Sequence, residues 1–469
     1  MSDKKYSSGY RAKRKADSAR LAALDVLAQV REEDAYANLV LADTLRDYGV
    51  EGRDAAFATE LTYGTLRMRG YYDALIERSA SRPLKELDPL LLDVLRLGCH
   101  QLLNMRVPEH AALAETVDVA RQVTSDGPSK LVNAVLRTIQ RTAPREWEAL
   151  IKGQSDSRKA TAEITSHPEW VVEAIRDALG DSSFDATEVV EALSANNIPA
   201  KVCLAARPTL TTRAQLLREL GDQGSAAQVA STSVIMDAGD PGRVAAVKDG
   251  RAGVQDSGSQ YVTEVFTSIP LTGSDREWLD LCAGPGGKAA LLTGYARSVG
   301  ARLTANELHK HRARLVAQNL KAFSREDYRI RVGDGRTMAE HDGERGYYDR
   351  VLLDAPCSGL GALRRRPEAR WRKDPRDLAE LNALQWNLLR GAVDCVRTGG
   401  LIGYITCSPH LSETRDIVSQ AVAELPLELV NLAPQVVDLP DALTTDGCIQ
   451  LWPHRHGSDA MFLAVLRKK

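Results

Sequence analysis

Three short segments of the 469-residue chain combine residue types and spacings that can do chemistry. The first, Cys282-Ala-Gly-Pro-Gly-Gly-Lys288, follows the apolar run Trp278-Leu-Asp-Leu and precedes a helical pattern. Glycines at a strand-to-helix turn let a ligand approach the backbone and expose amides at the helix N-terminus. Gly284, Gly286 and Gly287, with Pro285 between them, lack the spacing of a dinucleotide GxGxxG loop, and the segment is not the GxxxxGK[ST] of a P-loop. Glu307 stands 20 residues beyond Gly287 at the end of the next strand-like run, where an acid suits the two hydroxyls of a ribose. Asp334, in Gly333-Asp-Gly-Arg336 after the third run, is placed to receive an adenine amino group. These residues predict an adenosine-containing cofactor without a pyrophosphate, namely S-adenosylmethionine. The rival reading of the glycines alone is a tight βα turn.

The second and third segments each carry a thiol. Tyr348-Asp-Arg-Val-Leu-Leu-Asp354 leads into Ala355-Pro-Cys-Ser-Gly359, and Leu401-Ile-Gly-Tyr-Ile-Thr406 leads into Cys407-Ser-Pro409. Two adjacent strands ending at one height would turn Cys357 and Cys407 into one cleft. A disulfide is the structural alternative, disfavoured in a reducing compartment. A thiolate beside a methyl donor suits methylation at pyrimidine C5. That carbon is a poor nucleophile until sulfur adds at C6; methyl transfer, loss of the C5 proton and departure of the thiolate follow. Asp354 would meet N3 or the exocyclic amine of such a ring. Adenine N6 methylation needs no covalent step and commonly follows Asp/Asn-Pro-Pro with an aromatic residue, which Asp-Ala-Pro-Cys is not.

The elements that must hold these residues are legible as patterns. Runs at 277–282, 302–307, 328–332, 348–354 and 401–406 read as strands, and 287–298, 309–323 and 375–397 as helices. Such alternation implies βαβ units and a mainly parallel sheet with helices on both faces, whose ligands bind at the C-terminal strand ends. Upstream, apolar residues recur at helical spacing from Ser18 to about Gln140, without a convincing strand. The resulting organisation is a basic tail at 1–15, an all-α domain at 16–145, a polar linker over 142–160, a small α+β subdomain at 160–256, and the α/β domain at 257–469.

Composition sets outer bounds. The 61 Lys and Arg nearly balance 63 Asp and Glu, for a net charge of -2, and 43% of residues are hydrophobic. That excludes a wholly disordered chain, a collagen-like fibre and a uniformly basic nucleic-acid binder. The balance conceals local contrast: residues 1–20 and 364–373 each carry a net of +5, leaving -12 for the rest. Arg364, Arg365, Arg366 and Arg370 are therefore candidates for RNA phosphate and Trp371 for base stacking, against the default of a solvated arginine-rich loop. No CxxC pair or zinc-spaced Cys/His cluster occurs, so no metal is expected. His309, His311, His454 and His456 are not expected to be ligands, while Cys99, Cys203, Cys395 and Cys448 read as core and Cys282 as packing. With no apolar run of about 18 residues to span a bilayer, the expected protein is cytoplasmic, and it is taken as a monomer.

The motifs resemble those of the RsmB (Sun/Fmu) family of bacterial RNA cytosine-C5 methyltransferases. Matching pieces are residues 282–288, Asp354-Ala-Pro-Cys-Ser-Gly359, Arg364-Arg-Arg-Pro-Glu368 with Trp371, Thr406-Cys-Ser408, and Trp452-Pro-His-Arg-His-Gly-Ser-Asp-Ala-Met-Phe462. The helical region, notably Leu131-Val-Asn-Ala-Val-Leu-Arg137, resembles the NusB-like RNA-binding domain of the same proteins. The resemblance implies a Rossmann-like class I methyltransferase fold, S-adenosylmethionine as cofactor, and a cytosine of small-subunit ribosomal RNA as substrate. It implies that Cys407 is the nucleophile and that Cys357 assists product release. By analogy with DNA cytosine methyltransferases, a Pro-Cys thiol would instead select Cys357. Asp354 and Lys288 complete the catalytic candidates. Cys282, Ala283, Gly284, Pro285, Gly286, Gly287, Lys288, Glu307, Asp334 and Asp354 are the implied cofactor-lining residues. Gly284 in place of the commoner Ala, Ala289 where Thr is usual, and Pro409-His410 after Thr-Cys-Ser depart from the family pattern. A transfer-RNA substrate, or a non-catalytic RNA-binding scaffold, are the competing functions.

Overall fold

A computed structural model describes residues 16–33, 35–340 and 343–469, so the basic tail at 1–15 lies outside the described residues. The chain divides into two compact units. One runs to Ile198 and also takes in Leu363–Arg372; the other comprises Pro199–Ala362 and Lys373–Lys469.

The first unit is helical throughout its described residues. Local signals start its helices: Asp17 accepts from the Arg20 amide, and Asp88 caps Pro89–Leu103 through the Leu90 and Leu91 amides, with Pro89 in the first turn. Helix Pro89–Leu103 lies at the centre, because Leu91, Val94, Leu95, Leu97 and Cys99 are all buried. It carries a charged cluster into that interior. Arg96 makes paired bonds of 2.7 and 2.8 Å to Asp73, and Asp93 accepts from Arg96 and Arg31, each at 2.9 Å.

The stretch read as a linker at 142–160 is instead two helices, Pro144–Gln154 and Ser157–Thr165. Their sequences are mostly polar, yet Trp147, Ile151 and Ala160 are spaced to bury one stripe against the unit's core. Helices Glu169–Leu179 and Thr187–Ala195 belong here too, so the region at 160–256 is shared between the units.

The second unit opens with the strands of that region, β1 (Val202–Ala206), β2 (Gly224–Ala226), β3 (Ser233–Met236) and β4 (Ala252–Val254), an antiparallel sheet in the order β2-β3-β1-β4. The main sheet has eight strands: β5 (Glu277–Asp280), β6 (Arg302–Glu307), β7 (Tyr328–Val332), β8 (Tyr348–Asp354), β9 (Val396–Thr406), β10 (Leu427–Val430), β11 (Ile449–Gln450) and β12 (Phe462–Lys468). Its order is β10-β12-β9-β8-β5-β6-β7, with β11 paired to β12. The pairs from β7 through β9 are parallel, and β12 runs antiparallel to both neighbours.

Strand periodicity divides the apolar residues between two faces. Leu352, Leu401, Ile405, Leu463 and Val465 pack with Val262, Phe266, Leu292 and Val316 from helices Ser257–Ser268, Gly287–Ser298 and Lys310–Asn319. Val351, Leu353, Ile402, Tyr404 and Phe462 pack on the other face with Leu388, Leu389, Ile417 and Val418 from helices Asp377–Cys395 and Arg415–Glu424. This is a Rossmann-like fold. The order reverses between β5 and β8, which places a ligand crevice above their C-terminal ends.

Because Asp93 neutralises the buried Arg96 and also pairs with the half-buried Arg31, Asp93→Ala is expected to cost about 3 kcal/mol of stability. Urea unfolding followed by circular dichroism measures it.

Candidate functional site

The cofactor loop begins where β5 ends. The Asn306 amide group donates to the carbonyls of Leu281 (3.0 Å) and Gly333 (3.1 Å), and the Ala283 N–H donates to Asn306 O (2.8 Å), joining the tips of β5, β6 and β7. Glu307 Oε2 accepts from the Gly284 N–H (3.1 Å) and Oε1 from the His309 N–H (2.9 Å). Arg312 donates to Gly284 O at 2.7 Å and Asn319 to Pro285 O at 3.0 Å, while Arg207, beyond β1, holds the Asn319 side chain at 2.7 Å. The loop is thus supported by a residue of the small sheet that the sequence did not single out. At Gly284 a Cβ would fall 2.2 Å from Glu307 Oε2, so a side chain there would displace the carboxylate from its present position. Gly286 sits at φ +115° and starts helix Gly287–Ser298.

Four carboxylates surround the crevice end of this loop. Glu307 is buried at 3% exposure. Asp334 is covered by Arg336, whose Nε lies 2.9 Å from it, and this pairing holds its pKa below the usual carboxylate value. Asp354 accepts from Lys288 Nζ at 2.8 Å. The fourth, Asp280, was missed in the sequence, where its only signal is an acid interrupting Trp278-Leu-Asp-Leu. It is fully buried, neither carboxylate oxygen has a hydrogen-bond partner of normal geometry, and burial followed by the charge of Asp354 pushes its pKa up to about 8. A buried carboxyl without partners at a ligand loop fits a group that brings its own donors or positive charge. The loop's one lysine is already committed to Asp354, so this donor set suits an adenosine sulfonium better than a pyrophosphate.

The two thiols meet beyond β8 and β9. The strands are in parallel register, Asp354 opposite Ile405, and Ala355 N–H donates to Ile405 O at 2.9 Å. Cys357 Sγ then lies 3.4 Å from Cys407 Sγ, hydrogen-bonding distance rather than the roughly 2.05 Å of a disulfide. All seven cysteines are free. Gly361 N–H donates to Cys407 O (2.8 Å), and Gly361 O accepts from Ala460 N–H (2.9 Å), stitching in the loop before β12. A Cβ on Gly361 would sit 2.0 Å from Ala460 O.

Electrostatics separates the thiols. The Cys357 hydrogen bond, aided by the Lys288 charge, lowers the Cys407 pKa against burial, Asp354 and Asp459. The same hydrogen bond, burial and Glu413 raise Cys357 well above the ordinary thiol value. Lys288 is itself held above the usual lysine value: burial opposes its charge, but Asp354 more than offsets that. The arrangement biases Cys407 toward ionisation and Cys357 toward the neutral thiol, with the Lys288 ammonium nearby. Cys282, also raised by burial, shows no such activation.

A family model described as 16S rRNA methyltransferase RsmB/F matches residues 269–467, and one described as the NusB family matches residues 17–141. A Mycobacterium tuberculosis chain named as a methyltransferase is 46% identical over 97% of this chain and 98% of its own length. The ribosomal RNA small subunit methyltransferase B of Salmonella paratyphi B is 33% identical over 80% of this chain and 84% of its own. The crystal structure of PH0851 superposes with a TM-score of 0.75 at 21% identity, covering 97% of this chain and 100% of its own, a likeness of fold. The chain belongs to the RsmB/F methyltransferase family. Its fold is the NusB-like helical region followed by a Rossmann-like methyltransferase domain.

Within this RsmB/F chain the arginine-rich segment departs from the expectation of an RNA-facing loop. Residues 363–372 pack in the helical unit. Arg370 has no exposed surface; its guanidinium donates to the carbonyls of Arg67 (3.3 Å), Ser166 (2.9 Å) and Asn196 (3.3 Å) and to Asn197 Oδ1 (2.8 Å). Burial, followed by the charge of Arg67, pushes its pKa down to about 9. Trp371 packs where Gly70 has no side chain: a Cβ on Gly70 would fall 2.6 Å from the indole, and Arg69 lies 5.5 Å from its centroid. Arg370 therefore holds the helical unit together and is not presented to phosphate, while the half-buried Trp371 packs against Gly70 and Arg69. Arg364 is buried and Arg365 half-buried, whereas Arg366 is exposed beside Tyr36. Among the described residues no group of three or more His, Cys, Asp or Glu is arranged for a metal, and no helix is long and apolar enough to cross a membrane.

Two outcomes follow from these geometries. Gly284→Ala displaces the Glu307 carboxylate and is expected to weaken S-adenosylmethionine binding by roughly tenfold, measured by calorimetry. Arg370→Met leaves buried carbonyls unpaired and is expected to lower stability by about 2–4 kcal/mol; the salt dependence of RNA binding should stay at the wild-type slope.

Proposed function

We propose that the chain methylates C5 of a cytosine in small-subunit ribosomal RNA, using S-adenosylmethionine and a covalent bond between Cys407 and pyrimidine C6. The observation that carries this reading is the Cys407 sulfur, its pKa lowered by the Cys357 hydrogen bond and Lys288 at the end of β9. The name of the Salmonella relative favours ribosomal RNA as substrate.

The cofactor would lie on residues 282–288, with Glu307 toward the ribose, Asp334 toward the adenine amine, and Asp280 and Asp354 toward positive charge. When bound it supplies an electrophilic methyl group on a sulfonium. The protein's own work begins with the target base, which must leave its stack to enter the crevice. Cys407 thiolate adds to C6, and Asp354, oriented by Lys288, meets the pyrimidine edge and favours that addition. The C6 bond places electron density at C5, which accepts the methyl group. Loss of the C5 proton to a base then allows the C6–sulfur bond to break and returns Cys407 as thiolate. Cys357, held as the neutral thiol beside it, assists this departure.

Unmodified small-subunit ribosomal RNA, with transfer RNA in parallel, is incubated with the purified protein and methyl-labelled S-adenosylmethionine. Label is expected at cytosine C5 of the ribosomal RNA and is lost with Cys407→Ala, while Cys357→Ala accumulates a covalent protein–RNA adduct. No label at C5, or undiminished label with Cys407→Ala, overturns the reading.

A further inference from the structure

A third side chain joins the two cysteine loops. Glu413, in the turn Leu411–Glu413 that follows Cys407, is fully buried and reaches across to the residue after Cys357. Its Oε1 accepts from the Ser358 N–H at 2.7 Å and from Gln385 Nε2 at 3.1 Å, and its Oε2 accepts from the Ser358 hydroxyl. With that hydroxyl's proton so committed, Ser408, the residue after Cys407, donates to Ser358 Oγ at 3.1 Å. Ser408 Oγ in turn accepts from the His410 N–H at 3.2 Å. Gln385 also donates to Pro356 O at 2.8 Å, and the Tyr404 hydroxyl to Glu413 O at 3.0 Å. A carboxyl buried at this depth is costly to keep unless every donor around it is in place.

We propose that Glu413 is the positioning residue of the thiol pair: through Ser358 and Ser408 it locks the Cys357 and Cys407 loops in register and keeps Cys357 the proton-bearing partner. It touches neither the base nor the cofactor and acts through the two loops. This rests on the proposed covalent role of Cys407, but its thiol arm does not. The titratable and charged groups facing the pair are Tyr404 of β9, Asp354 of β8, Lys288 of the cofactor helix, Asp459 of the loop before β12, and Glu413 itself. Of these, the Glu413 charge acts on Cys357, whose loop it holds through Ser358. A negative charge there disfavours a Cys357 thiolate, so its removal lowers the pH at which Cys357 ionises.

The test is Glu413→Gln, which keeps the shape and an acceptor for the Ser358 amide. Iodoacetamide labelling of the free protein across pH, resolved by peptide mass spectrometry, reports each cysteine separately. The expected result is a Cys357 labelling midpoint moved to lower pH, with kcat for RNA methylation down roughly tenfold to a hundredfold and KM for RNA and S-adenosylmethionine within about twofold. Glu413→Asp should return the Cys357 midpoint toward wild type. An unmoved Cys357 midpoint in the folded variant, or wild-type kcat, overturns the proposal. Should Glu413→Gln fail to fold, Ser358→Ala serves: it is expected to lower kcat with both KM values kept, and wild-type kcat overturns the proposal. If the wild-type protein methylates no cytosine, the proposed function falls while the labelling arm still decides the role of Glu413.

Discussion

Cys357 and Cys407 are 50 residues apart in the chain, and the parallel pairing of β8 with β9 brings them to within hydrogen-bonding distance. Parallel strands end on the same side of a sheet, so the segments leaving Asp354 and Thr406 emerge together above the crevice where the strand order reverses. The remaining features of the site depend on that register. Gly361 can bridge from Cys407 to Ala460 only because the two loops leave the sheet at one height, and a side chain at Gly361 would collide with Ala460 O. A slip of one residue would turn the strands' side chains to opposite faces and separate the sulfurs.

The site is built mainly of acids, with a single buried lysine among them. Lys288 between Asp354 and the thiol pair acts as a local cation in a low-dielectric setting, where a charge a few ångströms away counts far more than in water. Asp280, behind the same loop, is stabilised toward its neutral form first by burial and then by the negative charge of Asp354. Opposed shifts among close neighbours cluster at functional sites, although structural ion-pair networks produce them too. The departure from the family pattern at Gly284 acquires a reason here as well: the Glu307 carboxylate occupies the space a methyl group would need.

The arginine-rich segment shows how charge can be used inward. Its net of +5 is read most simply as a surface for polyanions. In the fold, Arg370 instead saturates carbonyls at the ends of helical segments, and Arg372 joins Arg366 beside the Tyr36 ring. Helix ends leave carbonyl oxygens without intrahelical partners, and a planar five-donor group is well suited to collect several at once. The acidic complement, Glu368, accepts from the Ala37 N–H within the same unit.

The amino-acid sequence alone determined the alternation of strands and helices, the glycine loop, the acids at successive strand ends and the two thiol motifs, because each depends on short-range spacing or on one backbone conformation. Helix Ser157–Thr165 was not legible, since its buried stripe is thin and its polar face dominates the pattern. Only the tertiary structure decided that Cys357 and Cys407 are in contact, that Arg370 is buried and that residues 363–372 belong to the helical unit. It also decided that Asp280 lies buried behind the glycine loop and that Glu413 joins the two thiol loops. Those facts depend on burial and on partners distant in sequence, and neither is encoded in the local order of residues.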